Sequence, residues 1–202
     1  MQNKEITTTT TNIQAEEPST ALSISNFDHA QRVAKALSAS TMIPAGYQNN
    51  IPNTLVALEM AHRIGASPLM VMQNLHIIHG RPSWSSSFII AALNSCGRFS
   101  ALNFETSADG KSCTAVATEL ATGSVIKGPT VSLEMANAEG WATKAGSKWR
   151  TMPELMLRYR AAAFFGRLYA PEILMGMQTA EEVADIASTD AKTKVADLNA
   201  KL

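Results

Sequence analysis

The residues with the clearest potential for chemistry are the basic side chains between positions 144 and 171. This stretch holds six Lys or Arg residues and one acid, Glu154, whereas the whole chain carries 17 basic and 17 acidic residues. Trp141 and Trp149 lie at its start. Cations with interleaved aromatic rings are typical of polyanion sites, because the cations contact phosphates and the rings stack on bases. The stretch therefore predicts a nucleic-acid-binding surface.

The spacing of residues divides this stretch into a loop and a helix. Thr151 is a suitable N-cap, Pro153 suits the first turn, and Pro171 ends the pattern, which predicts a long helix to about residue 169. The preceding loop contains glycine and is expected to let its basic side chains reach a nucleic-acid backbone. The tryptophan of the loop, Trp149, is expected to be exposed and able to stack on a base.

The arginines of the predicted helix do not all face the same way. Arg160 and Arg167 are seven residues apart and share a face, separated by about 10 Å of helical rise. Arg158 lies about 200° round the helix from Arg160. We therefore expect Arg160 to contact DNA and Arg158 to be structural, paired with Glu154 or another acid.

Arg81 and Lys111, at predicted turns, are expected to extend this surface into a basic groove. The complete set of candidate DNA-binding residues is Lys144, Lys148, Trp149, Arg150, Arg158, Arg160, Arg167, Arg81 and Lys111.

Other chemistries have weaker support. The fragment Gly110-Lys111-Ser112 resembles the end of a phosphate-binding loop, but that motif needs a glycine five positions before Gly110, where Glu105 stands. The sequence therefore predicts no ATP site. His76 and His79 form an H-x-x-H on a predicted strand, where they point to opposite faces and cannot share one zinc ion. No carboxylate cluster suited to a metal-dependent nuclease is apparent, so we predict no cofactor, no metal and no enzyme activity.

The elements that position the basic stretch indicate an α+β fold. Helical periodicity and capping residues predict helices over residues 27–37, 51–64, 67–73 and 132–139, with Asn53 as the expected cap of the second. A further helix carries Phe88, Ile89, Ala92 and Leu93 and stops at Gly97, and its possible caps are Ser83, Ser85, Ser86 and Ser87. A strand is predicted over residues 75–79, followed by a turn at 80–82. Three further strands, over residues 99–105, 112–120 and 124–127, surround an Asp109-Gly110 hairpin turn and a second turn at Gly123. The prediction is a small antiparallel three-stranded sheet flanked by helices, with one long basic helix near the C-terminus.

Composition bounds the domain organisation. Residues 1–25 are rich in Thr, Ser and Glu and predict a disordered tail, residues 26–176 form the predicted core, and residues 177–202 form a short acidic tail. There is no apolar run long enough for a membrane span and no signal-peptide pattern. Cys96 and Cys113 are expected to be reduced thiols. Together these features favour a cytoplasmic protein.

An ordered series of motifs resembles the RecT / Red beta family of phage single-strand annealing proteins. The run Trp149-x-x-x-Pro153-x-x-Met156-Leu157-Arg158-x-Arg160-Ala161, followed by Arg167-Leu168, is similar to the signature helix of that family. The segment Arg63-Ile64-Gly65-Ala66-Ser67-Pro68, the 75–78 strand, Asn94 with Phe99, Phe104-Glu105 and Ser112-Cys113 follow the family in order. The resemblance covers roughly residues 50–172.

The resemblance implies that the protein binds single-stranded DNA and anneals it to a complementary strand without ATP, in phage recombination within the host cytoplasm. It implies homo-oligomeric rings or filaments, a phage exonuclease partner and a host single-strand binding protein. Arg158 and Arg160 match basic positions of the family helix, and Lys148 and Arg150 lie near its DNA-contacting loop. Glu154 and Gln73 stand at positions where some relatives have a basic residue. The C-terminal partner-binding segment is shorter here. The alternative hypothesis is a phage protein whose basic patch binds a host protein.

Overall fold

The computed structural model describes residues 26–78 and 80–185 of the 202-residue chain. The predicted disordered tail at 1–25 and most of the predicted acidic tail lie outside these residues. The described part is α+β, with a three-stranded antiparallel sheet flanked by helices, which confirms the predicted fold class. Within it, no helix has the length and apolar character needed to cross a bilayer.

The first half of the chain is helical apart from one hairpin. Its elements are α1 (Phe27–Ser38), α2 (Ile51–Ile64), α3 (Pro68–Asn74), β1 (Leu75–Ile78), β2 (Arg81–Trp84) and α4 (Ser86–Ser95). Asn50, rather than Asn53, caps α2 by accepting a hydrogen bond from the Asn53 amide, and Gly65 ends the helix in the left-handed conformation. Tyr47 fixes the loop between α1 and α2 by donating its hydroxyl to the Leu75 carbonyl. Burial raises the pKa of Tyr47 to about 12.

Strand β2 replaces part of the turn predicted at 80–82 and includes Ser83, the first of the four candidate caps of α4. It pairs antiparallel with β1, with Leu75 opposite Trp84. The Trp84 ring is fully buried and stacks on Phe88 at 4.4 Å between ring centroids. Ser85 then caps α4 by accepting a hydrogen bond from the Phe88 amide. The extended backbone is preferred here because it places Trp84 in the core.

The three-stranded sheet comprises β3 (Asn103–Thr106), β4 (Ser112–Thr118) and β5 (Val125–Ser132), in the spatial order β3-β4-β5. The predicted Asp109-Gly110 turn joins β3 to β4, with Gly110 at φ +69°. Strand β5 runs five residues beyond its predicted end, through Gly128 and Pro129. Proline is tolerated there because β5 is an edge strand. A β-carbon at Gly128 would lie 3.3 Å from the Phe165 β-carbon, so glycine permits close packing.

The remaining elements are α5 (Leu133–Ala138), α6 (Lys148–Thr151), α7 (Pro153–Tyr169) and α8 (Pro171–Leu174). Ser132 caps α5 as predicted, by accepting a hydrogen bond from the Met135 amide. The N-cap of the long helix is Met152, one residue after the predicted cap Thr151, because Met152 has a non-helical backbone (φ −139°, ψ 56°) before Pro153. Proline disfavours helical geometry in the preceding residue, which separates α6 from α7. Helix α7 packs against β4, β5 and α4 and forms the centre of the core.

Candidate nucleic-acid interface

Helix α7 follows the short basic helix α6, and a C-terminal segment packs over two of its arginines. After α8, Met175 and Gly176 adopt positive φ angles and turn the chain back. Residues 180–185 are helical. Thr179 and Glu182 form a capping box in which each side chain accepts a hydrogen bond from the amide of the other, at 3.0 and 2.9 Å. We call residues 179–185 the C-terminal cover.

The C-terminal cover packs on the core, although its residues were assigned to the acidic tail. The Trp84 amide donates to the Gln178 carbonyl at 3.2 Å, and Trp84 and Thr179 form an isolated parallel β-bridge. Thr179 and Val183 are buried. The signal that indicates this ordered segment is the Thr-x-x-Glu capping box, which the acidic composition obscured.

Arg160 lies at the centre of a buried ionic cluster between α7 and the C-terminal cover. Its Nη2 donates to Oδ2 of Asp185 at 2.6 Å, and its Nε lies 3.9 Å from Oε1 of Glu182. The guanidinium stacks over the Trp141 ring at 3.8 Å from the centroid, within cation–π range. Burial lowers the pKa of Arg160, while the two carboxylates oppose that shift.

Three more predicted site residues join this ionic cluster. Trp149 is buried, and its Nε1 donates to Oδ2 of Asp185 at 3.0 Å. The Lys144 Nζ lies 3.0 Å from the other oxygen of Asp185. Arg167 donates through Nη2 to both oxygens of Glu182, at 2.8 and 2.7 Å, and its side chain remains 42% exposed. Arg160 and Arg167 therefore share a face, as predicted, and both contact Glu182.

Two expectations about exposure are wrong in this conformation. Arg160, expected to be available to DNA, is 5% exposed, because the C-terminal cover lies over it. Arg158 pairs with Glu154, one of its predicted partners, and its side chain is exposed. Trp149, expected to be an exposed stacking platform, is buried against Trp141 at 5.4 Å between ring centroids.

The remaining basic residues of the stretch lie on α6 and face solvent. Lys148 and Arg150 are exposed, and within residues 26–78 and 80–185 neither forms an ion pair with a carboxylate. Met152 and Leu155 follow them with side chains about 40% exposed. Helix α6 and the start of α7 thus form a cationic surface with apolar side chains beside it. We call Lys148 and Arg150 the α6 basic edge.

Arg81 and Lys111 lie apart from the stretch in the chain and in the sheet topology. Arg81 is exposed at the start of β2. Lys111 is exposed in the turn between β3 and β4, with its Nζ 4.0 Å from Asp109. Hydrogen bonds from Ser107 and the Lys111 amide lower the pKa of Asp109, whose carboxylate lies beside the Lys111 ammonium in this turn. Neither cation is joined to the α6 basic edge by a hydrogen bond or ion pair among the described residues.

The described residues contain no group of three or more His, Cys, Asp or Glu side chains arranged to hold a metal ion. His76 lies on β1, while His79 is outside the described residues. Cys96 is exposed after α4 and Cys113 is buried on β4, both as free thiols.

Comparison with known proteins does not assign the chain to a family. No family model matches the chain, and no curated protein is significantly similar to it.

Proposed function

We propose that this protein binds single-stranded DNA and anneals complementary strands without ATP, in the manner of the RecT / Red beta proteins that its sequence resembles. The observation that carries the proposal is the α6 basic edge, where Lys148 and Arg150 are exposed without a carboxylate partner among the described residues. Cations in this state are available to phosphate oxygens. The α+β fold with a three-stranded antiparallel sheet is also the fold that the resemblance implies.

The small number of cations on this surface suits annealing of two strands better than tight binding of one strand. Contacts to phosphates hold a strand by its backbone and leave its base edges free to pair. Two phosphate contacts per chain, from Lys148 and Arg150, give weak, salt-sensitive affinity. Assembly of several copies on one strand would multiply that affinity without tightening any single contact, which accords with the ring or filament that the resemblance implies.

A charge-matched pair of variants tests the proposal. We expect Lys148→Ala/Arg150→Ala to weaken binding of a labelled oligo-dT by at least tenfold and to reduce the salt slope of log K by about 1.4, since each single-strand phosphate contact contributes roughly 0.7. The control is Arg32→Ala/Lys35→Ala on α1, which removes the same charges from another exposed helix. Equal affinities in the two double variants would remove the α6 basic edge as the binding site.

Annealing itself is measured separately from binding. Two complementary oligonucleotides, one with a fluorophore and one with a quencher, are mixed with the protein across a salt series without nucleotide. We expect faster annealing at low salt, and the α6 double variant should lose the acceleration. Incubation of labelled DNA with protein and magnesium, followed by electrophoresis, would reveal cleavage if the protein were instead a nuclease.

The second candidate function is binding of a host protein through the same surface. Met152 and Leu155, with side chains about 40% exposed beside the α6 basic edge, favour it because interface centres contain apolar side chains. This function predicts a defined complex with an acidic partner and no salt-dependent oligonucleotide binding. The oligo-dT titration therefore separates the two candidates.

A further inference from the structure

Each acidic side chain of the C-terminal cover contacts a group of the kind that binds phosphate. Glu182 accepts two hydrogen bonds from Arg167. Asp185 contacts Arg160 and Lys144 through different oxygens. Glu181 accepts hydrogen bonds from the hydroxyl and the amide of Ser86 in the first turn of α4, at 2.7 and 3.3 Å. Arg, Lys and amides of a helix start are common phosphate donors in proteins.

The cluster beneath the C-terminal cover also contains aromatic rings. Trp141 and Trp149 lie against Arg160, and both are less than 10% exposed. If the cover moved away, Arg160, Arg167 and Lys144 would lose their carboxylate partners, and the Trp149 indole would lose its acceptor Asp185. Cations beside aromatic rings form the combination that holds phosphates and stacks bases in single-strand binding proteins.

We propose that residues 179–185 are an internal anionic competitor that occupies a second single-strand-binding surface, formed by Lys144, Trp149, Arg160 and Arg167. This inference rests on the proposed function and extends it to the regulation of binding. A strand held first by the α6 basic edge displaces the cover and gains the second surface. The affinity of the resting protein is therefore lower than the affinity of the opened protein.

The exposure of the basic residues provides a route for this exchange. Arg167 is 42% exposed and Lys144 is 21% exposed, so a phosphate can reach each of them before the cover has left. Arg160 and Asp185 lie deeper, at 5% and 4%. A strand therefore replaces the carboxylates from the outside inward, with Arg160 last.

The energetics of buried ion pairs favour an exchange of this kind. Attraction within a buried pair is offset by the desolvation of both charges, so the net stability of the pair is small. Replacing a carboxylate by a phosphate keeps the cations paired throughout. What the cover loses on leaving is chiefly the burial of Thr179 and Val183 and the hydrogen bonds that Glu181 accepts from Ser86.

The first experiment weakens the competitor while keeping its shape. In Glu182→Gln/Asp185→Asn, glutamine preserves the capping box and asparagine preserves an acceptor for the Trp149 indole. We expect oligo-dT affinity to rise by on the order of tenfold beyond the rise in a control, Glu59→Gln/Glu172→Gln, which removes two charges from exposed ion pairs elsewhere. An increase no greater than the control overturns the inference, provided that circular dichroism shows the variant to be folded.

The second experiment uses the unaltered chain and so does not depend on the folding of a variant. Hydrogen exchange with mass spectrometry is recorded with and without saturating oligo-dT. We expect peptides within residues 178–185 to lose protection when the oligonucleotide binds, while α4 keeps its protection. Unchanged or increased protection of those peptides overturns the inference.

The results also separate the two proposals. Binding by the wild-type chain, with the cover still protected and no gain from the variant, rejects the competitor and leaves the proposed function intact. If neither the wild-type chain nor Glu182→Gln/Asp185→Asn nor its control Glu59→Gln/Glu172→Gln binds oligo-dT, the proposed function is rejected, and the inference fails with it.

Discussion

At the scale of single residues, burial rather than charge decides what each arginine of α7 does. Arg158 and Arg160 are two positions apart, yet one is exposed beside Glu154 and the other is enclosed by Trp141, Glu182 and Asp185. An exposed i,i+4 pair contributes about 0.3–0.5 kcal/mol. Removing one partner of a buried cluster leaves uncompensated charges and costs far more.

We therefore expect Arg160→Ala to lower the free energy of unfolding by about 3 kcal/mol, the lower end of the cost of breaking a buried ion pair. The loss stays at the lower end because residues 179–185 can swing outward and hydrate their carboxylates. Arg158→Ala is the matched control and should cost less than about 0.5 kcal/mol. Urea denaturation measures both, and similar losses in the two variants would contradict the burial of Arg160.

At the scale of elements, α7 owes its position to small side chains on its packed faces. Ala161, Ala162 and Ala163 are buried, and Gly166 lies against α4 and α8. A β-carbon built at Gly166 would lie 2.6 Å from Leu174 Cδ1 and 3.2 Å from Leu93 Cδ1. No real β-carbon tolerates the shorter distance, so the helix fits only with glycine here unless Leu174 moves.

We expect Gly166→Ala to destabilise the protein by about 1–2 kcal/mol, because overpacking at Leu174 outweighs the roughly 1 kcal/mol that alanine gains in helix propensity. Leu168→Ala, two residues away on the exposed side of α7, should change stability by less than about 0.5 kcal/mol. Thermal unfolding followed by circular dichroism compares them. A stabilised Gly166→Ala variant would show that Leu174 yields freely.

The elements best predicted from the sequence carry strong local signals. Helix α2 has an asparagine cap and a glycine terminator, and the Asp109-Gly110 turn needs a positive φ that glycine supplies. Strand β2 was missed because Gly80-Arg81-Pro82 is a turn signal and Ser83 also suits a helix cap, whereas the burial of Trp84 favours the strand. The end of β5 was missed because Gly128-Pro129 is a turn signal unless the strand lies at an edge.

The candidate site was predicted in composition but only partly in exposure. Helical geometry correctly places Arg160 and Arg167 on one face, and it separates Arg158 from Arg160. It does not show what covers that face, because the covering carboxylates come from 15 to 25 residues further along the chain. Tertiary contacts of this kind leave no periodic signal, although the Thr179–Glu182 capping box marks where a new helix begins.

At the scale of the whole molecule, the core joins the sheet, α4 and α7 into one packed unit. Phe165 of α7 meets Phe99 edge-on at 5.4 Å and Tyr169 at 5.1 Å between ring centroids. Cys113 lies inside this core on the central strand β4, whereas Cys96 is exposed at the end of α4. A reagent can therefore reach Cys96 in the folded protein, whereas it reaches Cys113 only when the core opens.

We expect a thiol reagent at pH 8 to modify Cys96 in the native protein and Cys113 only when the whole core unfolds. Burial raises the pKa of the Cys113 thiol, which lowers its thiolate fraction and hence its reactivity. Because folding raises this pKa, Cys113 also makes the folded state less stable as pH rises above the ordinary thiol pKa. Titration with an aromatic disulfide should give one thiol without urea and two with urea; two without urea would contradict the buried core.

The contact between Glu181 and Ser86 has a consequence for the order of folding. These residues are 95 positions apart, so their contact closes nearly half of the chain into a loop. Loop closure costs entropy before it gains contacts, and distant pairs tend to form late. The last event in refolding should then be the docking of residues 179–185, and the first event in unfolding should be their departure. A newly made chain would pass through a state in which Arg160 and Trp149 still lack their shared partner Asp185.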